Sequence, residues 1–212
     1  MRVLAILSIS ILLFFSSTSG QQKAVTDMGD EVILYSNGTW KYITEPKSGD
    51  ISTNKSFFKK EKAASFLLKS NHINMGVWLD PKKWKFNKSK DSEASEYEFE
   101  LKGESVFGMT IVESVDIPLL SLRAAALENA KSIAVDTRVS HEEYRMVNGL
   151  KVLSLEFLST IQGIEFLYYG YYYSGENGTI QLLSYTYSSQ ATANRREMET
   201  FLNGLTIIGD GI

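Results

Sequence analysis

Hydrophobic and polar residues alternate along four consecutive segments in the C-terminal half of the chain. Alternation with a period of two is typical of strands that bury one face, because successive side chains point to opposite sides of a sheet. The connections between the segments are short and each contains glycine, which favours tight hairpin turns. The pattern therefore predicts an antiparallel meander. Its strands are expected over residues 137–147, 150–161, 164–174 and 179–187.

The turns set the register of this meander. A two-residue turn at Asn148-Gly149 places His141 opposite Glu156. A second two-residue turn, at Gln162-Gly163, places Glu156 opposite Tyr169, whereas a slip of one residue would mix polar with apolar side chains on both faces. One face is then apolar, and the other is polar and carries tyrosines. The polar face is expected to hold His141, Glu143, Arg145, Ser154, Glu156, Thr160, Glu165, Tyr169, Tyr171, Tyr173, Ser184 and Thr186.

Two segments have the period of an α-helix. Apolar residues line one side of residues 118–135, where Pro118 suits the first turn, and the same spacing recurs from Thr192 or Asn194 to Gly204. We expect the two helices to cover the apolar face of the sheet and at least part of the polar face. This predicts an α+β fold in which helices sandwich an antiparallel sheet. Shorter apolar runs predict further strands at 75–79, 84–86, 97–101 and 106–113.

The first twenty residues have the layout of a secretory signal peptide. Arg2 is followed by an apolar run over residues 3–15 and by small polar residues over 16–20. This apolar run is short for a membrane span, so we predict cleavage near Gly20 and an exported protein, periplasmic or secreted. The alternative is a retained N-terminal anchor. No later segment approaches the length of a membrane-spanning helix.

The next segment predicts a small β-hairpin followed by a linker. Two β-rich runs flank Asn37-Gly38, a strong signal for a hairpin turn, and Trp40 and Tyr42 are expected on the face of Leu34 or Ser36. The polar residues that follow contain Pro46 and Gly49. We therefore divide the chain into a signal peptide (1–20), a hairpin (21–45), a linker (46–56) and a sandwich domain (57–212).

Charge and cysteine content narrow the range of functions. The 212 residues have a net charge of −3, and removal of residues 1–20 would make it −4 because the segment contains one cation and no anion. This balance argues against an electrostatic nucleic-acid binder. Cysteine is absent, so the chain has no thiol nucleophile and no thiolate ligand for zinc. It also has no phosphate-binding glycine loop, dinucleotide fingerprint, nucleophilic-serine elbow or calcium loop, and we predict neither a cofactor nor a metal.

The polar face of the meander supplies the candidate site residues. We select His141, Arg145, Glu156, Tyr169, Tyr171 and Tyr173 as candidates for binding, because tyrosines offer rigid amphipathic surface to a peptide or glycan. A hydrolase using a His141/Glu156 acid–base pair is the alternative, since a carboxylate can orient and charge a histidine. A third interpretation is structural, with cross-strand ion pairs packed beneath a helix. An open cleft at His141 and Glu156 would favour the enzyme, and burial beneath a helix would argue against it.

Two other features suggest contacts with partners. The segment Lys82–Lys90, KKWKFNKSK, interleaves lysines with aromatic residues, which suits anionic lipid or polyanions. The alternative is a sheet edge protected by lysines. The hairpin that contains Trp40 either docks on its own domain or binds a partner, in which case the protein is an envelope assembly factor that uses the hairpin as a docking tab.

Several stretches of the chain resemble the PsbP-like superfamily. They are GVWLDPKKW, IPLLSLRAAALENAK, YRMVNGLKVL, GIEFLYYGYYYSGENGTIQLLSYTY and METFLNGL, and together they span roughly residues 64–208. That superfamily contains oxygen-evolving-complex subunits, a Ran-binding nuclear-import factor and many exported bacterial proteins. The resemblance implies an α/β/α sandwich and a noncatalytic role in binding or assembly, with a protein or extracytoplasmic ligand as partner. It carries no catalytic motif, and the N-terminal hairpin lies outside it.

Overall fold

The computed structural model describes residues 22–25, 31–36, 40–42, 51–89 and 95–209. Within these ranges the chain forms fourteen strands and two α-helices. The strands are β1 (Gln22–Val25), β2 (Glu31–Leu34), β3 (Trp40–Tyr42), β4 (Thr53–Phe58), β5 (Phe66–Lys69), β6 (Met75–Leu79), β7 (Trp84–Lys88), β8 (Tyr97–Leu101), β9 (Val106–Glu113), β10 (Arg138–Val147), β11 (Leu150–Ile161), β12 (Ile164–Gly175), β13 (Gly178–Tyr187) and β14 (Leu205–Ile207). The helices are α1 (Leu119–Ile133) and α2 (Ala191–Leu202).

Eight strands form the main sheet, in the order β4-β10-β11-β12-β13-β9-β8-β7. All neighbouring pairs are antiparallel except β4 and β10, which are parallel. The predicted register of the meander is confirmed, since His141 lies opposite Glu156 and Glu156 lies opposite Tyr169. Both two-residue turns are present, with positive φ at Asn148, Gly149, Gln162 and Gly163.

The two faces of the main sheet are covered by different elements. Helix α1 packs on the apolar face through Leu122 and Leu127, against side chains such as Leu153 and Tyr172. Helix α2 and a second, three-stranded sheet of order β14-β6-β5 cover the opposite face. There the ring of Phe201 stacks on Trp84, with 4.4 Å between ring centroids. The α+β class with an antiparallel sheet between helices is confirmed, and the small sheet is an addition to the prediction.

The polar face is a second core of the protein. Tyr169 and Tyr171 are fully buried there, among apolar residues of α2 such as Met198 and Leu202. Helices are expected over at least part of this face. The side chains buried here include Tyr169, Tyr171, Arg145 and Glu156. This face of the central strands therefore excludes water.

The structure corrects the boundary between the linker and the domain. Residues 53–56, assigned to the linker, belong to β4, which extends the main sheet by pairing with β10. Polar residues occupy this strand because an edge strand meets water on one side. The N-terminal hairpin is also larger than predicted, because β1 pairs with β2 and makes a three-stranded sheet with β3. Leu34 lies opposite Trp40, as expected, while the Asn37-Gly38 turn and the signal segment lie outside the described residues.

Among the residues that the structure describes, no helix is both long enough and apolar enough to span a membrane.

Candidate functional site

The six candidate residues come from three adjacent strands. His141 and Arg145 lie on β10, Glu156 lies on β11, and Tyr169, Tyr171 and Tyr173 lie on β12. Alternation brings these side chains to the face beneath α2. Arg145, Glu156, Tyr169 and Tyr171 are buried there, whereas His141 is exposed and Tyr173 is half-buried at the edge of the core.

Arg145 is the centre of a buried polar network. Its Nε donates to Glu143 at 2.5 Å, and its Nη1 donates to Glu199 on α2, also at 2.5 Å. The same Nη1 lies 2.6 Å from the hydroxyl of Tyr169 and 3.0 Å from that of Tyr171. The guanidinium also lies over a ring of β4, 4.4 Å from the centroid of Phe58. Arg145 therefore joins β4, β10, β12 and α2.

The environment of the network fixes its charges. Burial works against the charge on Arg145, but the tyrosine hydroxyls and Glu143 outweigh it and raise the pKa of the guanidinium. Burial also raises the pKa of the Tyr169 and Tyr171 hydroxyls. For Glu143 burial is outweighed by hydrogen bonds from Asn54 and Arg145, so its pKa is lowered. At neutral pH the tyrosines are therefore hydroxyl groups beside a charged pair, which suits a structural role.

Glu156 belongs to a second ion pair with α2. Arg195 donates to both of its carboxylate oxygens, at 2.6 and 2.5 Å, and stacks over Tyr169 at 4.3 Å from the ring centroid. The hydrogen bonds that Glu156 accepts from Arg195 raise the pKa of the Arg195 guanidinium. Together with the Arg145 network this pair makes what we call the α2 clamp: Glu143, Arg145, Glu156, Tyr169, Tyr171, Arg195 and Glu199.

The His141/Glu156 acid–base pair of the hydrolase hypothesis does not form. The two residues are opposite each other in the register, but Glu156 is engaged by Arg195. His141 lies instead beside Glu143, with 3.7 Å between Nε2 and Oε2, and half of its side chain is exposed. A β-bulge between Val139 and His141 adds one residue to the β10 side of the ladder. Helix α2 covers the face on which the hydrolase hypothesis requires an open cleft.

Sequence reasoning missed the partners that α2 supplies. Arg195 and Glu199 are four residues apart and therefore share a face of the helix. An apolar stripe through Met198, Phe201 and Leu202 runs along the same helix. The spacing of Arg195 and Glu199 beside that stripe was the available signal, because two opposite charges can pair with Glu156 and Arg145 across the interface.

The opposite face of the sheet carries a row of stacked rings, and the sequence pattern places three of them, Phe157, Tyr168 and Tyr185, on the apolar face. We call Phe157, Tyr168, Tyr185 and Phe107 the aromatic row; they lie directly opposite one another across β11, β12, β13 and β9. Successive ring centroids are 4.9, 5.3 and 5.5 Å apart, with interplanar angles of 7°, 25° and 28°.

Helix α1 covers only one end of the aromatic row. Phe157 is buried in the core beneath α1, whereas Tyr168, Tyr185 and Phe107 are partly exposed. Burial, together with Tyr168 and Glu98, raises the pKa of Tyr185 to about 12. The row thus offers rigid rings and neutral hydroxyl groups at the protein surface, next to the acidic residues of β8.

The described part of the basic-aromatic segment, residues 82–89, forms part of an edge. Its strand β7 is the last of the main sheet, and Trp84 is buried against α2. Lys85 pairs with Glu100 at 3.2 Å and Lys83 pairs with Glu197 at 2.7 Å. This arrangement supports the interpretation as a lysine-protected edge.

No group of three or more His, Cys, Asp or Glu side chains within the described ranges is arranged to hold a metal ion.

The comparisons with known proteins find similarity in structure alone. No protein-family model matches the chain, and no curated protein matches it. A solved structure of PsbP (CyanoP) from the cyanobacterium Synechocystis matches with a TM-score of 0.53 at 10% identity, and the match covers 67% of this chain and 91% of that one.

Two further solved structures are similar at lower scores. LpqN, described as involved in cell envelope biogenesis of Mycobacterium tuberculosis, has a TM-score of 0.48 and 11% identity, over 67% of this chain and 89% of its own. A Pseudomonas aeruginosa protein of unknown function has a TM-score of 0.43 and 12% identity, over 66% and 95%. The strand order, the covering helices and the match to the cyanobacterial protein agree with the resemblance seen in the sequence. The chain has the PsbP-like fold.

Proposed function

We propose that this protein is an exported, noncatalytic binding domain that engages a protein or another extracytoplasmic ligand through the aromatic row. The observation that carries the proposal is the partial exposure of Tyr168, Tyr185 and Phe107, whose rings continue the core beneath α1 into solvent. Stacked rings held by four strands lose little conformational entropy on binding, and aromatic residues are enriched at interfaces.

The state of the six predicted site residues supports this choice of face. Four of them are buried in the α2 clamp, where their polar atoms are used by α2. A ligand could reach them only by displacing the helix. The export part of the proposal rests on the signal-peptide pattern of residues 1–20 and agrees with a chain that needs no disulfide for its large core.

Site-specific photocrosslinking in the native host tests the proposal. A benzophenone amino acid replaces Tyr185 or Phe107 in the full chain, and the control positions are Glu128 and Lys131, which are exposed on α1. We expect one discrete adduct, identified by mass spectrometry, from the row positions and none from the controls. Fractionation of the same cells reports whether the protein is exported.

Two outcomes would contradict the proposal. Equal, diffuse crosslinking from all four positions would show that the row has no specific partner. Hydrolysis of a model ester or glycan by the purified protein, lost in His141→Ala while the fold is retained, would favour the enzyme instead. His141 is suited to this control because it is exposed and outside the α2 clamp.

A further inference from the structure

Strand β4 exposes a phenylalanine at the outer edge of the main sheet. The side chain of Phe57 is 79% exposed, the highest value for an aromatic residue in the described part of the chain. The neighbouring positions that face the core are held in place, because Asn54 donates to Glu143 at 3.1 Å and Phe58 lies beneath Arg145. Phe57 points to the other face, in a row with Met146 of β10 and Lys151 of β11. The rigid strand therefore holds an apolar ring in water.

Lysines surround this ring. Lys55 and Lys59 are two residues away on either side of Phe57 and both are exposed, and Lys151 is exposed on β11. Lys151 lies over the ring of Tyr144, 4.4 Å from its centroid. Within the described ranges none of these three lysines forms an ion pair. We call Lys55, Phe57, Lys59 and Lys151 the β4 patch.

The charge of the patch opposes that of the whole protein. Residues 53–62 contain four lysines and one glutamate, a net charge of +3 in a chain whose net charge is −3. The single glutamate, Glu61, receives a hydrogen bond from Thr200 of α2 at 3.2 Å. A positive potential at this edge is therefore local, and it attracts an anionic partner to a protein that is otherwise acidic.

We infer that the β4 patch is a contact site for the surface of an anionic lipid bilayer. Phe57 would enter the boundary between headgroups and acyl chains, and the three lysines would contact the anionic headgroups. The shape favours lipid over an acidic protein, because a single protruding ring needs no complementary pocket in acyl chains. Lysines that only protect an edge strand from pairing would not require an exposed phenylalanine between them.

Vesicle binding tests the inference. The protein is purified as its host processes it and is mixed with vesicles that contain phosphatidylglycerol or with vesicles of phosphatidylcholine alone. We expect binding to the anionic vesicles only, weakened in Phe57→Ala by about tenfold. The triple change Lys55→Gln, Lys59→Gln and Lys151→Gln should weaken it by about a hundredfold, from about fivefold per lysine. Binding should also fall in about 1 M salt, where the Debye length is about 3 Å.

Matched controls separate the patch from bulk charge and hydrophobicity. Val135→Ala removes an apolar side chain that is 93% exposed elsewhere. The triple change Lys82→Gln, Lys88→Gln and Lys131→Gln removes the same charge from other exposed sites. Both controls should bind within about twofold of the unmodified protein, because they leave the local contacts intact. All variants share one N-terminus, and circular dichroism confirms that each is folded.

Three results would overturn the inference. One is a failure of the protein to bind anionic vesicles, and another is equal binding by the patch variants and the control variants. Equal binding to soluble poly-glutamate and to anionic vesicles, with the same loss in Phe57→Ala, would assign the patch to an acidic protein instead of a membrane.

Discussion

Arg195 donates from two guanidinium nitrogens to the two carboxylate oxygens of Glu156, at 2.6 and 2.5 Å. This bidentate pair links α2 to β11 across an interface that also buries apolar side chains such as Met198 and Phe201. Glu156 is buried, whereas Arg195 is partly exposed, so the pair lies where the core meets solvent. A charge-assisted, forked contact of this kind fixes the position of the helix as well as its distance from the sheet.

The first prediction concerns this pair. Removing Arg195 alone, as in Arg195→Met, leaves an unpaired carboxylate in the core and should lower the free energy of unfolding by about 2 kcal/mol. The double variant with Glu156→Leu should recover most of that loss, because the buried charge is then absent. Urea unfolding measures the stability of the unmodified protein, of the two single variants and of the double variant. A double variant as unstable as the sum of its single changes would contradict the pairing.

The second prediction compares two adjacent tyrosines. Among the described residues, the hydroxyl of Tyr172 is fully buried beside α1 and has no hydrogen-bond partner, whereas the hydroxyl of Tyr171 accepts from Arg145 and donates to Asn203 at 3.1 Å. We expect Tyr172→Phe to leave stability unchanged or raise it by about 1 kcal/mol, and Tyr171→Phe to lower it by about 1–2 kcal/mol. Thermal unfolding of the two variants provides the measurement. The opposite order would show that the Tyr172 hydroxyl has a partner.

The third prediction is a pH dependence. The pKa of Glu143 is lowered from its ordinary value of 4.5 in the folded protein, since hydrogen bonds from Asn54 and Arg145 outweigh burial. A lowered pKa contributes stability above the unfolded pKa, and that contribution is lost as the pH falls through the folded pKa. The free energy of unfolding should therefore decrease below about pH 4.5, and less steeply in Glu143→Gln than in the unmodified protein.

Denaturant unfolding at a series of acidic pH values measures this slope. The exposed carboxylate of Glu100 provides the control, and Glu100→Gln should leave the slope nearly unchanged. Parallel pH profiles for the unmodified protein and Glu143→Gln would contradict the assignment.

The fourth prediction concerns the end of α2. A methyl group on Gly204 would lie 2.0 Å from the carbonyl oxygen of Trp78, and the backbone there cannot move freely because the amide of Trp78 donates to the carbonyl of Gly204 at 2.8 Å. Gly204→Ala should cost about 3 kcal/mol of stability. Gly209→Ala is the matched control, since nothing lies within 4 Å of its added methyl group. Equal thermal midpoints would show that the close approach is absent in solution.

The meander could be predicted from local pattern because its constraints are local. Positive φ at Asn148 and Gln162 is what a two-residue hairpin turn requires, and a glycine follows each of them. Once those turns are set, alternation decides which side chains share a face, and Glu156 opposite Tyr169 follows. Strand β4 could not be predicted in this way. It is a short polar stretch without a periodic pattern, and its parallel pairing with β10 joins segments that are far apart in the sequence.

The exposure of the candidate site residues depends on tertiary contacts that the pattern of polar and apolar residues does not encode. The sequence brought His141, Arg145, Glu156 and three tyrosines to one face, and the structure keeps them there. Which of them face solvent was decided by where α2 docks and by the charges that Arg195 and Glu199 bring to the interface. The exposure of the aromatic row has a related reason, because α1 packs over Phe157 and leaves the other three rings partly exposed.

The sequence by itself determined the strands, their register and the two unlike faces of the meander, because hairpin turns and side-chain alternation act between near neighbours in the chain. Only the tertiary structure decided that the polar face is a core and that part of the apolar face meets water. Burial depends on which elements, distant in the chain, pack together. The ion pairs of Arg145 and Glu156 allow α2 to cover a face that the hydrophobicity pattern alone predicts to be exposed to solvent.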